Sequence, residues 1–465
     1  MKTIDREPTI AVGLMTLKDE EATLNFDLHG DFMTPDSTRL ASGSYVAKVP
    51  RGRIQITAQS DNQQFDVKEL LLTPADDSHS SFTLHGVTIG IDFHWERKES
   101  QRFQGALRLK LDADGRLIVI NEISLERYIT SVISSEMSAT ANPELLRAHA
   151  IVSRSWLLAQ IKPWNTGRAN ADASQVTVKT NERGEEELIR WYAKEAHTEF
   201  DVCADDHCQR YQGITKATVP AVFEAVRATY GLVLTDGETV CDARFSKCCG
   251  GMTERYADVW DNTDIPYLTV FYDGEEFPTE YKLPLSDEVN AEAWMLGAPP
   301  AFCNTQDETI LSRILPGFDQ ETRDFYRWRV TYTQQELQDL LWKKLGIDLG
   351  AIIAMEPVER AASGRLVKLR IIGENETLII GKELEIRRAL SPSHLYSSAF
   401  IVRSEDEGEE SEFPSQFTLI GAGWGHGVGL CQIGAALMAE RGYEHTKIVS
   451  HYYPGASLHR LYASE

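Results

Sequence analysis

Between residues 125 and 161 the chain carries two consecutive helical patterns, LERYITSVISSEM and PELLRAHAIVSRSWLLAQI, separated by Ser138–Asn142. At roughly 100° per residue, Leu125, Tyr128, Ile129, Val132 and Ile133 fill one arc of the first helix, and Glu136 falls near the middle of that arc. The second helix opens at Asn142-Pro143, a capping residue followed by proline at the first helical position. It is apolar nearly all round, a pattern that belongs to a helix enclosed on every side. Arg154 lies among Ala150, Ile151 and Leu158, so its charge needs a buried partner. The rest of the chain must supply a body large enough to enclose this pair.

Material for that body is abundant. The 465 residues suggest about three domains on a prior of ~150 residues each. Residues 1 to about 120 read as β: TIAVGL, ATLNFDLHG, SYVAKV, RIQITAQ, SFTLHGVTIGIDFHW and ALRLKLDADGRLIVI alternate with polar and glycine punctuation. Residues 163–216 read as irregular, a short helix follows over Pro220–Thr229, and TQQELQDLLWKKLG is a clear amphipathic helix. SEDEGEESE, Ser404–Glu412, reads as a solvated acidic loop. The expected class is α+β, with a β-rich region over 1–85, a core over 86–265, an inserted α+β subdomain over 266–413 and a closing segment over 414–465.

A net charge of −23 argues against nucleic acid and against a polybasic membrane contact, both of which need a surplus of Lys and Arg. MKTIDREPTIAVGLMT has no apolar run of signal-peptide length, and no stretch of the chain is apolar enough to span a bilayer. Taken literally, that describes a soluble chain left in the cytoplasm, or one whose export signal is not in view.

Four groups of residues carry chemical potential. A carboxyl buried at Glu136 has its charged form penalised, and its raised pKa suits a general acid; a structural ion pair with Arg154 is the competing reading. His197, Cys203, His207 and Cys208 supply two imidazoles and two thiols within twelve residues, the ligand set of a tetrahedral structural zinc site. A Cys203–Cys208 disulfide in an exported chain is the alternative. Cys248-Cys249-Gly-Gly, with Cys241 upstream, reads as a tight strand end; a thiol nucleophile there would need a base such as His426. GAGWGHGVGLCQIGA places alternating glycines before a helix, either for close approach to a ligand or for a loop folded tightly on itself. It matches neither a dinucleotide fingerprint nor a P-loop.

Together YITSVISSEM with LLRAHAIVSRSW, DVCADDHCQRYQG, SKCCGGMTERYADVW, SGRLVKLRIIG and GWGHGVGLCQIGAALMAERGYEHTKIVSHYYPG resemble the SpoIID/LytB family of bacterial cell-wall proteins, in family order over about four-fifths of the chain. The resemblance implies a lytic transglycosylase that cuts stem-free peptidoglycan glycan strands in the cell envelope, with the glutamate of the SEM motif, here Glu136, as acid and base. No cofactor is required for that chemistry. A retaining or inverting hydrolase would need a second carboxyl, for which Asp258 is the best candidate. Arg154, Tyr256, Asp258, Trp260, Trp424, His426 and Gln432 are the expected substrate-binding residues. Some members look like zinc binders at the DVC…HC segment, which supports Zn2+ at His197, Cys203, His207 and Cys208. LytB-type members imply a different role, as non-catalytic enhancers of a cell-wall amidase.

Overall fold

Alternation in the first 124 residues builds two sheets. In Leu24–His29 the apolar Leu24, Phe26 and Leu28 are buried while Asn25 and Asp27 turn outward, the period of two that a strand imposes. This strand belongs to a six-stranded antiparallel sheet in the order Arg97–Phe103, Ser81–Ile89, Leu24–His29, Gly43–Lys48, Ile54–Ala58, Gln64–Val67. A seven-stranded sheet runs Val202–Cys203, Thr9–Leu17, Leu117–Ser124, Ala106–Leu111, Glu69–Pro74, Phe32–Met33, Arg39–Leu40. Leu117–Ser124 is buried along nearly its whole length, as a central strand covered on both faces should be.

These are features of a computed structural model, which describes residues 3–17, 23–91, 96–161, 175–192, 197–217, 219–315, 324–406 and 412–463. Residues 407–411, the middle of the acidic run, lie outside the described residues. The fold is α+β, as the sequence suggests. The chain divides into two units: Met1–Trp164 with Ala196–Leu234 and Leu458–Glu465, and Asn165–Glu195 with Thr235–Ser457. The expected boundary at residue 85 is not a seam, because Thr9–Leu17 pairs along its length with Leu117–Ser124 and Leu24–His29 pairs with Ser81–Ile89. A strand left without that partner would expose a ladder of unpaired backbone groups. The expected boundaries at 265 and 413 both fall inside the second unit.

In the first unit, α1 (Leu125–Ser135) and α2 (Pro143–Gln160) form a helical hairpin, and α3 (Pro220–Ala228) follows. The start of α1 receives the Glu7 carboxylate on the Glu126 N–H at 2.7 Å, where a helix favours negative charge. An aromatic series, Phe32, Phe82, Phe103, Tyr211 and Tyr128, links the strands to α1 with successive centroid spacings of 6.5, 5.5, 5.8 and 5.1 Å.

In the second unit a five-stranded sheet runs Gln175–Thr180, Glu186–Trp191, Thr377–Gly381, Leu366–Gly373, Ile352–Arg360. Its first two strands form a hairpin within a stretch that the sequence presents as irregular. Val176 and Val178 face solvent there, although their alternation with Thr177 is a strand's period of two. A three-stranded sheet, Arg327–Thr333, Gln416–Ala422 and Phe400–Glu405, shares a core of Trp328, Leu337, Leu369, Ile371, Phe400 and Leu419. Helix Gln334–Leu345 starts on a Thr333/Glu336 capping box and ends at Gly346 in the left-handed conformation.

Candidate functional site

Arg154 has no solvent exposure, and its partner is Glu126. Nε donates to Oε1 at 2.9 Å and an Nη to Oε2 at 2.5 Å, while the other Nη donates to the carbonyls of Ala150 and Leu232. Glu126 also accepts the Gly231 N–H at 3.1 Å and the Tyr462 hydroxyl at 2.5 Å. The ion pair of the competing reading, Arg154 with Glu136, is therefore replaced by one with Glu126. Enclosed and fully engaged, Arg154 holds the first unit together and has no group to offer a substrate, which corrects its expected role.

Glu136 closes the last turn of α1: its N–H reaches the Val132 carbonyl at 2.8 Å, and 7% of the residue is exposed. Its Oε1 accepts the backbone N–H of Arg210 at 2.9 Å. Arg210 lies in the segment that carries the thiols and imidazoles, and this segment is laced to the hairpin at several points. The Gln209 amide donates to the Ser153 carbonyl at 3.3 Å, Tyr128 donates to Gln209 at 3.2 Å, and the Gln212 N–H reaches Ser131 Oγ at 3.2 Å.

At the head of that segment the four expected ligands converge. One donor atom from each of His197, Cys203, His207 and Cys208 lies within 4.8 Å of all the others. Cys208 Sγ is 3.4 Å from His197 Nε2 and 3.6 Å from His207 Nδ1, and Cys203 Sγ is 3.8 Å from His207 Nδ1. Zinc–sulfur and zinc–nitrogen bonds of ordinary length put a tetrahedron's S···N edge at about 3.6 Å, so the donor set and its spacing fit a tetrahedral ion. Cys203 is a free thiol, pushed up to about 11 by hydrogen bonding with Cys208 and then by burial; a bound cation would displace its proton. The strand Val202–Cys203 pairs with Val12-Gly13, and Gly13 lies under the Phe200 ring, which stands 4.6 Å from His197.

The remaining expected residues belong to the second unit. Tyr256, Trp260 and His426 form one ring cluster, with centroids 4.9 Å apart for the first pair and 5.0 Å for the second. The Arg244 guanidinium lies 4.5 Å over Trp260, and Lys382 Nζ donates to the Ala257 carbonyl at 2.7 Å, which fixes the turn. Asp258 is held by Arg255 at 2.7 Å. Trp424 is half-buried and stacks on Tyr396 at 4.3 Å, and Gln432 opens the next helix, buried. His426 is not turned to a thiol: Nδ1 accepts the Val428 N–H at 3.0 Å. Burial, then the charges of Arg244, Arg387 and Arg365, hold it well below the usual imidazole range. It is therefore neutral, with its proton on Nε2.

The glycine loop folds on the protein's own atoms. Gly423, Gly425, Gly427 and Gly429 all have positive φ. A Cβ on Gly427 would stand 2.4 Å from the Arg365 guanidinium, and one on Gly429 2.0 Å from the Arg244 carbonyl. Cys248 and Trp424 exchange backbone hydrogen bonds at 3.0 and 2.7 Å. The glycines answer this close internal packing, the second of the two readings the sequence allows.

A stage II sporulation protein family model matches residues 113–235, which span the α1–α2 hairpin and the thiol–imidazole segment. A domain of unknown function, DUF8618, matches residues 254–429. The chain is 24% identical to stage II sporulation protein D of Bacillus amyloliquefaciens over 339 residues, 73% of this chain and 75% of that one. It is 23% identical to stage II sporulation protein D of Bacillus subtilis over the same shares. The amidase enhancer of Bacillus subtilis is 24% identical over 243 residues, 50% of this chain and 32% of that protein. The fold and these matches define an α+β protein built around a stage II sporulation protein domain. These matches support a SpoIID/LytB-family assignment. Among the described residues no helix is long and apolar enough to cross a membrane.

Proposed function

We propose that this protein is a lytic transglycosylase of the cell envelope, cutting peptidoglycan glycan strands with Glu136 as acid and base. The observation that carries the reading is the division of labour on α1. Arg154 is committed to Glu126, and Glu136, at the end of the helix, accepts the Arg210 N–H from a separately anchored segment. The Glu136 carboxyl protonates the glycosidic oxygen as that bond breaks. As a carboxylate it then takes the proton of the C6 hydroxyl of N-acetylmuramic acid while that oxygen closes on C1. One carboxyl serves both steps, and no water is consumed.

His197, Cys203, His207 and Cys208 would hold Zn2+, whose contribution is to cross-link the segment bearing Arg210. This chain's own residues carry the proton transfers.

The test is digestion of stem-free glycan strands, with anhydro-ended fragments counted by mass spectrometry. Glu136→Gln should abolish release while thermal unfolding stays unchanged; a wild-type protein that releases none refutes the enzyme reading. Likeness to an amidase enhancer favours a second reading, a non-catalytic modulator of a wall amidase. In that case amidase turnover rises with added protein, and Glu136→Gln raises it equally.

A further inference from the structure

The second unit gathers another set of ligating side chains, one that local sequence spacing does not reveal. Cys249, Asp273, Cys303 and Cys431 come from four segments, the outer two 182 residues apart. One donor atom from each lies within 4.8 Å of all the others. Cys249 Sγ is 3.6 Å from Cys303 Sγ and 3.1 Å from Asp273 Oδ2. All four residues are buried, and Cys249, Cys303 and Cys431 are free thiols.

The surroundings orient these groups. Asp273 Oδ1 accepts the Tyr452 hydroxyl at 2.8 Å and meets His451 Nε2 at 3.2 Å, which turns Oδ2 toward the sulfurs. Cys431 Sγ accepts the N–H groups of Cys249 at 3.2 Å and Gly434 at 3.4 Å. A Cβ on Gly434 would stand 2.6 Å from Asp273 Oδ2 and 3.3 Å from Cys431 Sγ, so the helix can approach this closely only with glycine there. Backbone bonds tie the segments together: Asp273 N–H to the Gly251 carbonyl at 2.9 Å and Phe302 N–H to the Asp273 carbonyl at 2.7 Å.

We propose that Cys249, Asp273, Cys303 and Cys431 bind a single zinc ion at a closed structural site. Ordinary zinc bond lengths give tetrahedral edges of about 3.8 Å between sulfurs and about 3.6 Å between sulfur and oxygen; the sulfur pair at 3.6 Å is near the first, and the sulfur–oxygen pair at 3.1 Å is shorter than the second. Ligands gathered this tightly suit one ion; those of an iron–sulfur cluster sit on different metal atoms. Thiolate donors select zinc over magnesium or calcium, and the ion displaces the thiol protons as it binds. Hydrogen bonds to the carboxylate and to the Cys431 sulfur are the outer support such sites carry. Burial of small apolar thiols accounts for cysteines in a core. It does not account for Asp273 Oδ2 lying among them, the oxygen opposite the one that His451 and Tyr452 engage. The site stands apart from the proposed glycan chemistry and survives its failure.

The test is the zinc content of the full chain, purified under reducing conditions without added metal. Two zinc ions per chain are expected, and one in Cys203→Ser/Cys208→Ser. Adding Cys303→Ser or Asp273→Asn to that double variant should bring the content close to zero. Cys248, whose sulfur also approaches Cys303 and Cys431, is assigned no ligand role, so Cys248→Ala in the same background keeps its ion. Substituted chains can misfold, so cobalt exchange into the wild type supplies a second measurement. Its thiolate-to-cobalt absorption should correspond to five thiolates, two from the first cluster and three from this one. One zinc per wild-type chain that vanishes in Cys203→Ser/Cys208→Ser overturns the proposal, as does a Cys249–Cys303 disulfide in the reduced preparation. Loss with Cys248→Ala and retention with Asp273→Asn overturns the ligand set.

Discussion

Glu126→Gln provides a direct test of how the first unit is held. The substitution keeps an oxygen for the Arg154 Nε, the Gly231 N–H and the Tyr462 hydroxyl. It turns the group that accepted from the Arg154 Nη at 2.5 Å into a second donor. An arginine with no exposure is left with its charge unmatched. One charge-assisted hydrogen bond contributes about 1.5–3 kcal/mol, and breaking a buried pair from one side costs about 3–5 kcal/mol in total. Glu126→Gln should therefore destabilise the first unit by about 3–5 kcal/mol, against less than about 1 kcal/mol for an exposed pair. Adding Arg154→Met should recover part of that loss, with a coupling of at least about 2 kcal/mol across the cycle. Hydrogen exchange followed by mass spectrometry on peptides spanning 125–160 reads this unit alone. A cost for Glu126→Gln below about 1 kcal/mol, or additive single and double variants, would refute the assignment of Arg154 to Glu126.

Stripping zinc from the His197–Cys208 cluster with a chelator should speed amide exchange across 197–212 and lower glycan cleavage through the Arg210–Glu136 contact; unchanged exchange there argues against a structural ion. Gly13→Ala would bring a Cβ to 2.5 Å from the Phe200 ring, costing about 1–3 kcal/mol and weakening zinc retention, measured by denaturation and by metal content. Burial pushes the Glu254 carboxyl up to about 8, against the opposing charge of Arg365. Its stabilising contribution is complete below the unfolded pKa near 4.5 and is lost as pH rises through 8, a decline of at most about 5 kcal/mol. Glu254→Gln should flatten the stability profile between those limits; a profile parallel to wild type in thermal melts would count against it.

Local signals in the sequence survive in the structure. The Asn142-Pro143 start, the amphipathic helix at 334–345 and the tight spacing of Cys203, His207 and Cys208 all lie within a few residues of what they organise. Pairings across long stretches of chain were hidden. Nothing in TIAVGLMTL says that it will lie against LIVINEIS, and the Cys249–Cys431 cluster has no spacing to read. The Arg154 partner was closer to legible. In a short-looped helical hairpin the start of α1 meets the end of α2, so Arg154, near the end of α2, faces Glu126 and not Glu136. Periodicity identifies the face of a helix and says nothing about height along it.

The Tyr462 hydroxyl reaches Glu126 from 336 residues downstream. At a synthesis rate of about 5–20 residues per second, roughly 17–70 s separate the emergence of these two side chains from the ribosome. Throughout that interval the α1–α2 hairpin waits without one of its clasps, while the whole second unit is being made. A nascent chain of this design is vulnerable in proportion to the time it spends half-buttoned, so folding helpers would act on it most strongly before Tyr462 arrives.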